Sequence, residues 1–424
     1  MSISERDLKV IWHPFTQAKT AAHPLAIIKA EGCWLIDEQG NKYLDATSSW
    51  WVNAHGHSHP HIVKKITEQL QQLDHVIFAG FTHQPAVELA ERILKKLNGN
   101  FSRIFYSDNG STSVEVALKM AFQYYANLDI PRNNIIAFKN AYHGDTFGAM
   151  SVGDRNAFSA PFNDLLFKVH FIDAPEKNNT HKTLQQFNNL IEKINPAAFI
   201  FEPLVQGANG MRMYDAETLS ELIKICRNKN IITIADEVFT GFYRTGKAFA
   251  KDHLKEQPDI ICLSKTLTGG TLPLGVTAAP EFIYNAFLSN NKLKTFFHGH
   301  SFTANPLSCT AALASLDLLE EENCLINIDF IAKKHIEFKN KINQHPKILE
   351  ARTLGTILAI ELKTEEESGY LNSISEKITP YFLKKGIYLR PLGNVIYFTP
   401  PYAINELELN LVYTAIYEWL QLIE

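Results

Sequence analysis

Short apolar runs alternate with amphipathic stretches in the middle of the chain. Runs of strand length lie at residues 103–108, 134–139, 197–203, 231–237 and 259–265. They are apolar at nearly every position, as expected for parallel strands that are covered on both faces. Between them, residues 111–126 and 217–230 place apolar side chains at the three- and four-residue spacing of a helix. The pattern predicts an α/β fold with a mostly parallel, doubly wound sheet.

The pattern changes on both sides of this region. Residues 31–46 predict a small β-meander with a turn at 38–41. Toward the C-terminus, a helical run at 309–322 leads into shorter elements, such as the apolar strand at 355–362. We predict a large domain at residues 50–310 and a small α/β domain at residues 311–424. Residues 1–49 are predicted to form a segment that packs with the small domain.

A lysine and an aspartate end two of the apolar runs. Lys265 and Asp236 are separated by 265 − 236 = 29 residues. The lysine can simply mark the exit of a strand into solvent, and the aspartate can be a cap or half of an ion pair. The separation also suits one strand-to-strand crossover, which would bring both side chains to the ligand-binding edge of the sheet. A desolvated amine with a carboxylate that keeps a ring nitrogen protonated is the pairing that pyridoxal phosphate requires.

Two further strand ends offer cofactor contacts. Gly110 and Ser111 lie between a strand and a helix start, where N–H groups and the helix dipole favour a phosphate, although a serine there is usually only a cap. Tyr142 and His143 follow the next strand. The tyrosine would either stack on a pyridine ring or fill the core.

Composition narrows the classes of function. The 424 residues carry a net charge of −4 and no long basic run, which disfavours nucleic acid or an anionic membrane as the main partner. No uncharged apolar run approaches a membrane span, and the first 14 residues lack the apolar core of a secretory signal. Five cysteines without paired spacing indicate reduced thiols, so we expect a cytoplasmic protein.

Four histidines alternate with other residues near the start of the predicted large domain: His55, His57, His59 and His61. Such a cluster raises the question of a metal site. Gly56 and Pro60 predict instead a turn that leads into a helix, so the imidazoles would point in different directions. We therefore predict no metal.

The segments around the two strand-end residues give the chain a specific resemblance. ADEVFTGFYRTG and PDIICLSKTLTGG, which contain Asp236 and Lys265, resemble the cofactor-binding signature of the class III aminotransferases. HGHSFTANPLSC, at 298–309, resembles the family segment that reaches the phosphate in the other subunit. The likeness covers nearly the whole chain. It implies a fold type I transferase that binds pyridoxal 5'-phosphate and works as a homodimer with active sites at its interface.

The resemblance also implies a role for each site residue. Lys265 would bind the cofactor and move a proton, Asp236 would pair with the ring nitrogen, and Tyr142 would stack on the ring. Gly110 and Ser111 would hold the phosphate. The remaining implied contacts are Ser301, which would reach the phosphate in the other subunit, and the substrate-binding residues Phe15, Trp50, Trp51, Gly299, Arg390 and Tyr397.

Three stretches narrow the resemblance within the family: WHPFTQ, DATSSWWVNAHGHSHP and RPLGNVIYFTPPY. They resemble members that aminate 8-amino-7-oxononanoate in biotin biosynthesis, with S-adenosyl-L-methionine as the amino donor. A keto acid with a long apolar chain suits aromatic walls and one distal arginine, here Arg390, whose planar fork matches a carboxylate. Trp50 and Trp51 could instead fill the core. If they lie on a strand, their side chains point to opposite faces, and only one is expected to touch the ligand.

Three positions depart from the residues usual in the family. Phe15 stands where the related enzymes often have tyrosine, which leaves lysine open as the amino donor. Phe239 cannot give the hydrogen bond that glutamine often gives the cofactor in ornithine- or 4-aminobutyrate-type enzymes. Ser301 replaces a common threonine but keeps the hydroxyl. Arg244 is expected to brace the loop that follows Asp236.

Other functions stay open at this level. Another class III enzyme would act on ω-amines, and a substrate screen separates it. An aminomutase or decarboxylase of the same fold would give no net amino transfer to an added ketone. A binding protein that has kept the fold would tolerate loss of Lys265.

Overall fold

The computed structural model describes residues 1–423. The α-helices are, in chain order, α1 (Ile3–Val10), α2 (Pro60–Gln72), α3 (Gln84–Leu97), α4 (Gly110–Asn127), α5 (Phe147–Val152), α6 (Thr180–Ile194), α7 (Ala216–Asn228), α8 (Glu281–Asn285), α9 (Pro306–Leu319), α10 (Glu322–Ile342), α11 (Ser375–Lys384) and α12 (Glu406–Leu422). The strands are β1 (Ile27–Glu31), β2 (Trp34–Asp37), β3 (Lys42–Asp45), β4 (Phe101–Ser107), β5 (Ile135–Phe138), β6 (His170–Ile172), β7 (Ala198–Phe201), β8 (Val205–Gln206), β9 (Arg212–Met213), β10 (Ile232–Asp236), β11 (Ile260–Leu263), β12 (Gly275–Pro280), β13 (Ile348–Leu354), β14 (Ile357–Leu362), β15 (Ile387–Tyr388) and β16 (Val395–Phe398).

The central sheet has seven strands in the order β4-β12-β11-β10-β7-β5-β6. β12 pairs antiparallel with both of its neighbours, and the other pairings are parallel. The predicted α/β fold with a mostly parallel sheet is confirmed. The sequence analysis missed β6, which has only three residues, and β12, whose terminal glycine and proline are turn signals.

Both faces of this sheet are covered, which explains why its strands are apolar at nearly every position. Along β11, Ile260 and Cys262 belong to the core that also contains apolar side chains of α4. Ile261 and Leu263, which point to the opposite face, belong to the core formed with α3, α7 and α9. The polar residues that follow the strands therefore lie at the edge of the sheet rather than on either face.

A three-stranded sheet in the order β13-β14-β16 forms a separate core with α10, α11 and α12. The N-terminal strands form the predicted meander, with its turn between β2 and β3. β3 then pairs in parallel with β15, opposite Ile387 and Tyr388. The N-terminal segment is thus joined by strand pairing to the C-terminal part of the chain.

Local structure departs from expectation at two site segments. The apolar run 259–265 is strand only to Leu263, because a 3-10 helix begins at Lys265. Trp50 and Trp51 do not lie on a strand, so the argument that their side chains point to opposite faces of a sheet does not apply. Residues 48–51 form one left-handed helical turn, with φ between +46° and +72°.

The helical run at 309–322 also proved to be two elements, the end of α9 and the start of α10. No helix within residues 1–423 is both long enough and apolar enough to cross a membrane.

Candidate active site

Lys265 lies just beyond β11, in a left-handed backbone conformation with φ of +49°. A residue with a side chain adopts this conformation only when its surroundings enforce it, and such residues concentrate at functional sites. The Nζ atom lies 4.6 Å from the ring centroid of Trp51 and 5.7 Å from that of Phe239. Desolvation lowers the pKa of Lys265 to about 8, against the opposing charge of Asp236. The amine is therefore substantially neutral, and nucleophilic, at mildly alkaline pH.

Asp236 ends β10, the parallel neighbour of β11, so the crossover brings it to the same cavity as Lys265. Its carboxylate is buried and satisfied. Oδ2 lies 2.7 Å from Nδ1 of His143, and Oδ1 accepts a hydrogen bond of 3.0 Å from the N–H of Val238. Nε2 of His143 has no partner among the described residues. The sequence analysis placed His143 beside Tyr142 without a role; the need of a buried carboxylate for a donor was the signal that could have identified it.

Glu202 is a further site residue that sequence reasoning did not single out. It follows β7 at the same sheet edge, and its oxygens accept the N–H groups of Tyr142 at 3.1 Å and of Gly207 at 2.9 Å. Burial raises the pKa of Glu202 to about 7. By holding both backbone segments, this carboxylate sets where Tyr142 lies in the cavity. The strand-end motif EPLVQG was the available signal.

The predicted phosphate seat is the first turn of α4. Gly110 and Ser111 line the cavity, and the N–H groups of a first helical turn have no partners within the helix. A Cβ atom on Gly110 would lie 2.5 Å from Cγ1 of Val238, so only glycine fits this close approach. Ser111 Oγ accepts a hydrogen bond of 3.0 Å from the N–H of Thr146, which ties the seat to the loop that carries Tyr142.

The two tryptophans occupy different environments because the left-handed turn separates them. Trp51 is 4% exposed and lies next to Lys265 and Tyr397, whose ring centroid is 6.0 Å away. Trp50 is 42% exposed and lies 5.6 Å, centroid to centroid, from Phe15. Both tryptophans and Phe15 line a cavity of about 450 Å³ that reaches Lys265. Tyr397 is buried behind Trp51 and does not line that cavity.

Arg390 does not line this cavity, which we call the channel, but it contacts three residues that do. Its guanidinium lies 5.1 Å from the ring centroid of Trp50 and donates a hydrogen bond of 3.0 Å to the hydroxyl of Tyr370. A weaker contact of 3.4 Å joins it to the carbonyl oxygen of Phe15. No carboxylate of the described residues pairs with Arg390 in a salt bridge.

Gly299 and Ser301 are exposed and line neither cavity of this chain. They belong to a loop that also exposes Phe297 and Phe302, at 68% and 61%. Their predicted role requires the other subunit, and it stays a prediction.

Arg244 is fully buried and donates a hydrogen bond of 3.0 Å to the carbonyl oxygen of Pro400, consistent with a bracing role. The four histidines contact different groups: His55 the hydroxyl of Ser315, His57 the carboxylate of Asp45, and His61 that of Asp317, while His59 caps α2. Residues 1–423 contain no cluster of ligands suited to a metal ion.

These residues fit pyridoxal phosphate. One cavity of about 690 Å³ is bounded by Lys265, Asp236 with its His143 support, Tyr142 and the start of α4. It thus offers an amine of lowered pKa for the aldehyde, a buried carboxylate for a ring nitrogen and a helix N-terminus for a phosphate. Fold and site together define a pyridoxal-phosphate enzyme of the α/β type.

Comparison with known proteins identifies the family to which this enzyme belongs. Residues 16–420 match the family model described as aminotransferase class-III. The chain belongs to the class III aminotransferase family; it is an aminotransferase, and pyridoxal phosphate is its cofactor.

Its relatives point to one particular reaction. The adenosylmethionine-8-amino-7-oxononanoate aminotransferase of Synechococcus elongatus is 47% identical over 414 residues, which are 96% of this chain and 97% of that protein. The enzyme of that name from Methanocaldococcus jannaschii is 39% identical over 443 residues, with 97% and 96% covered. Its crystal structure matches this one with a TM-score of 0.94, over 99% of this chain and 98% of that chain.

More distant members of the family share the fold. The ω-transaminase of Pseudomonas jessenii in complex with PMP is 26% identical and matches with a TM-score of 0.93, over 99% of this chain and 98% of that chain.

Proposed function

We propose that this enzyme transfers an amino group to the C7 ketone of 8-amino-7-oxononanoate, which makes 7,8-diaminononanoate in biotin biosynthesis, with S-adenosyl-L-methionine as the donor. Arg390 is the main support for this acceptor. Its guanidinium has no carboxylate partner among the described residues, and it lies beside an aromatic channel that leads to Lys265. A ketone with a long apolar chain and a distal carboxylate matches this arrangement. The names of the relatives agree with it.

The cofactor, when bound, carries the amino group between the two substrates and accepts electron density from the carbon that loses its proton. This chain's residues supply the rest. Nζ of Lys265, whose pKa desolvation lowers to about 8, takes the proton from the donor's α-carbon when it is in its neutral form and in the second half-reaction delivers one to C7 of the acceptor. Asp236, held by His143, provides a carboxylate at a fixed position in the same cavity. Trp51 and Phe239 exclude water from the amine.

Arg390 orients the acceptor. In our proposal its planar fork binds the terminal carboxylate, while Trp50 and Phe15 contact the methylene chain. The left-handed turn at residues 48–51 lets Trp51 contact the reacting end and Trp50 the distal end of one substrate. Phe15 offers no hydroxyl to the donor, so lysine is the second candidate donor.

A pair of half-reactions tests the function. Purified enzyme carrying pyridoxal phosphate is mixed with S-adenosyl-L-methionine or with lysine, and the cofactor's absorbance reports loss of the aldehyde form. The aminated enzyme is then mixed with 8-amino-7-oxononanoate, and recovery of the original spectrum is expected. Failure of this second step, with recovery by ω-keto acids or aldehydes instead, would contradict the proposed acceptor.

Arg390→Met sharpens the test. We expect the acceptor concentration at half-maximal rate to rise about 10- to 100-fold, the worth of a hydrogen-bonded charge, with the donor step unchanged. Arg103→Met, which removes a surface pair with Glu281, is the matched control.

We also propose that the enzyme is a homodimer in the cytoplasm. The dimer is supported by exposed apolar side chains around two segments of predicted site residues: Phe297 and Phe302, and Trp12, which is 94% exposed. Light scattering of the purified protein should give twice the 48.0 kDa of one chain. The unpaired state of all five cysteines supports the compartment.

A further inference from the structure

A second cavity adjoins the substrate channel. Its volume is about 460 Å³, and it shares Phe15, Asp145 and Phe158 with the channel that reaches Lys265. We refer to it as the aromatic pocket; its lining residues are Phe15, Asp145, Phe147, Met150, Phe158 and Phe162. The two cavities are therefore neighbours that share these side chains as walls.

The pocket presents aromatic rings in edge-to-face pairs. Phe147 and Phe162 have centroids 6.0 Å apart and ring planes at 90°, and Phe15 and Phe158 have centroids 5.8 Å apart at 76°. Phe147 and Phe162 remain 54% and 38% exposed, although burying them would be favourable. In such pairs at least one ring leaves a face open, and the face of an aromatic ring attracts cations.

One carboxylate gives the aromatic pocket a negative charge. Asp145 is the one ionisable side chain among its lining residues, and it also lines the cavity of Lys265 and the channel. Arg390 lies on the far side of a row of rings: Phe158 packs 4.8 Å from Tyr370, whose hydroxyl accepts the hydrogen bond from Arg390. The site therefore has an acidic arm, which is the aromatic pocket with Asp145, and a basic arm, which ends at Arg390.

We propose that the aromatic pocket binds the cationic side chain of the amino donor, a sulfonium or an ε-ammonium. This assignment rests on the function proposed above, in which one site must bind two substrates in turn. The acceptor's long chain ends in a carboxylate, which Asp145 repels and Arg390 attracts; its 8-ammonium is bonded next to the reacting C7 and therefore stays in the cavity of Lys265, which Asp145 also lines. The donor's side chain carries a positive charge, which Asp145 and the faces of Phe147 and Phe162 attract. Opposite charges thus send the two side chains into different arms.

Leucine substitutions test the aromatic faces while keeping apolar bulk. Phe147→Leu and Phe162→Leu are each expected to raise the donor concentration at half-maximal rate by about 3- to 30-fold, with acceptor values unchanged. Phe167→Leu is the matched control, because this phenylalanine is equally exposed at 38% but lies outside the pocket. Running each variant with S-adenosyl-L-methionine and with lysine shows which cation the pocket serves.

Binding without turnover gives an independent measurement. Trimethylsulfonium, which has no amine to transfer, is titrated calorimetrically into the enzyme carrying its cofactor, and dimethyl sulfide serves as the neutral thioether comparison. We expect measurable heat of binding for the sulfonium ion. Phe162→Leu should lower the affinity for this ion at least threefold, and Phe167→Leu should leave the affinity unchanged. If a leucine variant fails to fold by circular dichroism, Phe162→Met replaces it.

Two outcomes would overturn the assignment. Unchanged donor values in both leucine variants, or equal weakening of donor and acceptor, would show that the pocket does not select a cation. The acceptor half-reaction is read separately. If the acceptor half-reaction fails while the leucine variants weaken the donor step, the proposed function is wrong and the donor pocket is supported. If the acceptor half-reaction succeeds and the donor step is unchanged in the variants, only the donor pocket is wrong.

Discussion

At the scale of single residues, this site combines groups that would be unfavourable elsewhere. Lys265 has a left-handed backbone and a desolvated amine, and Asp236 and Glu202 are buried carboxylates. Each is held by specific partners, chiefly aromatic rings for the lysine, His143 for the aspartate and backbone N–H groups for the glutamate. The cost of these environments is the reason that the groups are reactive.

Lys265→Met should stabilise the protein when the cofactor has been removed. The folded chain releases this proton near pH 8 and the unfolded chain near 10.5, so the wild type gains stability as pH rises across that interval. We expect the variant to raise the free energy of unfolding by about 1–3 kcal/mol at pH 7 and by progressively less toward pH 10. Urea unfolding at several pH values measures it. Lys64→Met, an exposed change, should show no such trend.

His143→Leu should destabilise the protein, because it leaves the carboxylate of Asp236 without its closest donor. The expected loss is about 1–3 kcal/mol in urea unfolding. His143→Asn keeps an N–H near the position of Nδ1 and should recover part of that loss and of the cofactor's retention on gel filtration. Equal stability of both variants and the wild type would show that the 2.7 Å contact contributes nothing.

At the scale of elements, α4 supports the site at two points one turn apart. Its first turn carries Gly110 and Ser111. The carboxylate of Glu115 accepts hydrogen bonds from the hydroxyl of Thr146 and from the N–H groups of Gly148 at 2.7 Å and Ala149 at 3.1 Å. It thereby caps the start of α5 and fixes the loop that carries Tyr142.

Glu115→Ala should cost about 1–2 kcal/mol of stability, as the loss of a helix cap does, and should weaken retention of the cofactor. Glu115→Gln keeps one carbonyl acceptor and should lose less. The two variants are compared by urea unfolding and by the absorbance of bound cofactor after dialysis. Identical losses in the two would mean that the charge, rather than the acceptor geometry, holds the loop.

At the scale of the whole molecule, a buried ion-pair network joins the site to the C-terminal sheet. Arg352 and Glu361, 5% and 2% exposed at their side chains, pair at 2.7 Å between β13 and β14. Arg352 also donates a hydrogen bond of 2.7 Å to the carbonyl oxygen of Gly210, and Arg212 reaches Glu361 at 3.1 Å. The β8–β9 hairpin, which begins three residues after Glu202, is thus fastened to a different sheet.

Arg352→Met should cost about 1–3 kcal/mol, because Glu361 loses its closest cation and keeps only the more exposed Arg212. The double variant Arg352→Met/Glu361→Leu should recover most of this loss, since no buried carboxylate with a missing partner remains. Both are measured by urea unfolding at pH 7. A double variant as unstable as the single one would show that packing, rather than charge, is at stake.

The same network predicts a dependence on acid. Burial acts to raise the pKa of Glu361, but hydrogen bonds and charge from Arg352 and Arg212 lower it below its ordinary value of 4.5. The stability that this group contributes is therefore present above pH 4.5 and is lost as pH falls through the folded-state pKa. In the Arg352→Met variant, the fall in unfolding free energy below pH 4.5 should be smaller.

Much of the fold was accessible from the sequence because buried parallel strands are apolar throughout and their ends are marked by polar residues. The strands at Asp236 and Lys265, the start of α4 and the turn before Pro60 were all predicted near their observed places. β6 and β12 escaped because short segments with glycine or proline give no periodic signal. The turn at Trp50 and Trp51 escaped because propensity favours strand for aromatic residues, and only tertiary packing imposes a left-handed conformation.

The sequence by itself determined the class of fold and the family, and it led to the prediction of cofactor-binding residues, because hydrophobic pattern and strand-end motifs are local properties of the chain. Only the tertiary structure decided which groups meet at the site. The contact of His143 with Asp236, the support of Tyr142 by Glu202 and the separation of Trp50 from Trp51 depend on side chains that converge from different strands and turns. The acidic and basic arms of the channel likewise arise from residues as distant in sequence as Phe15 and Arg390, and such convergence leaves no periodic trace in the sequence.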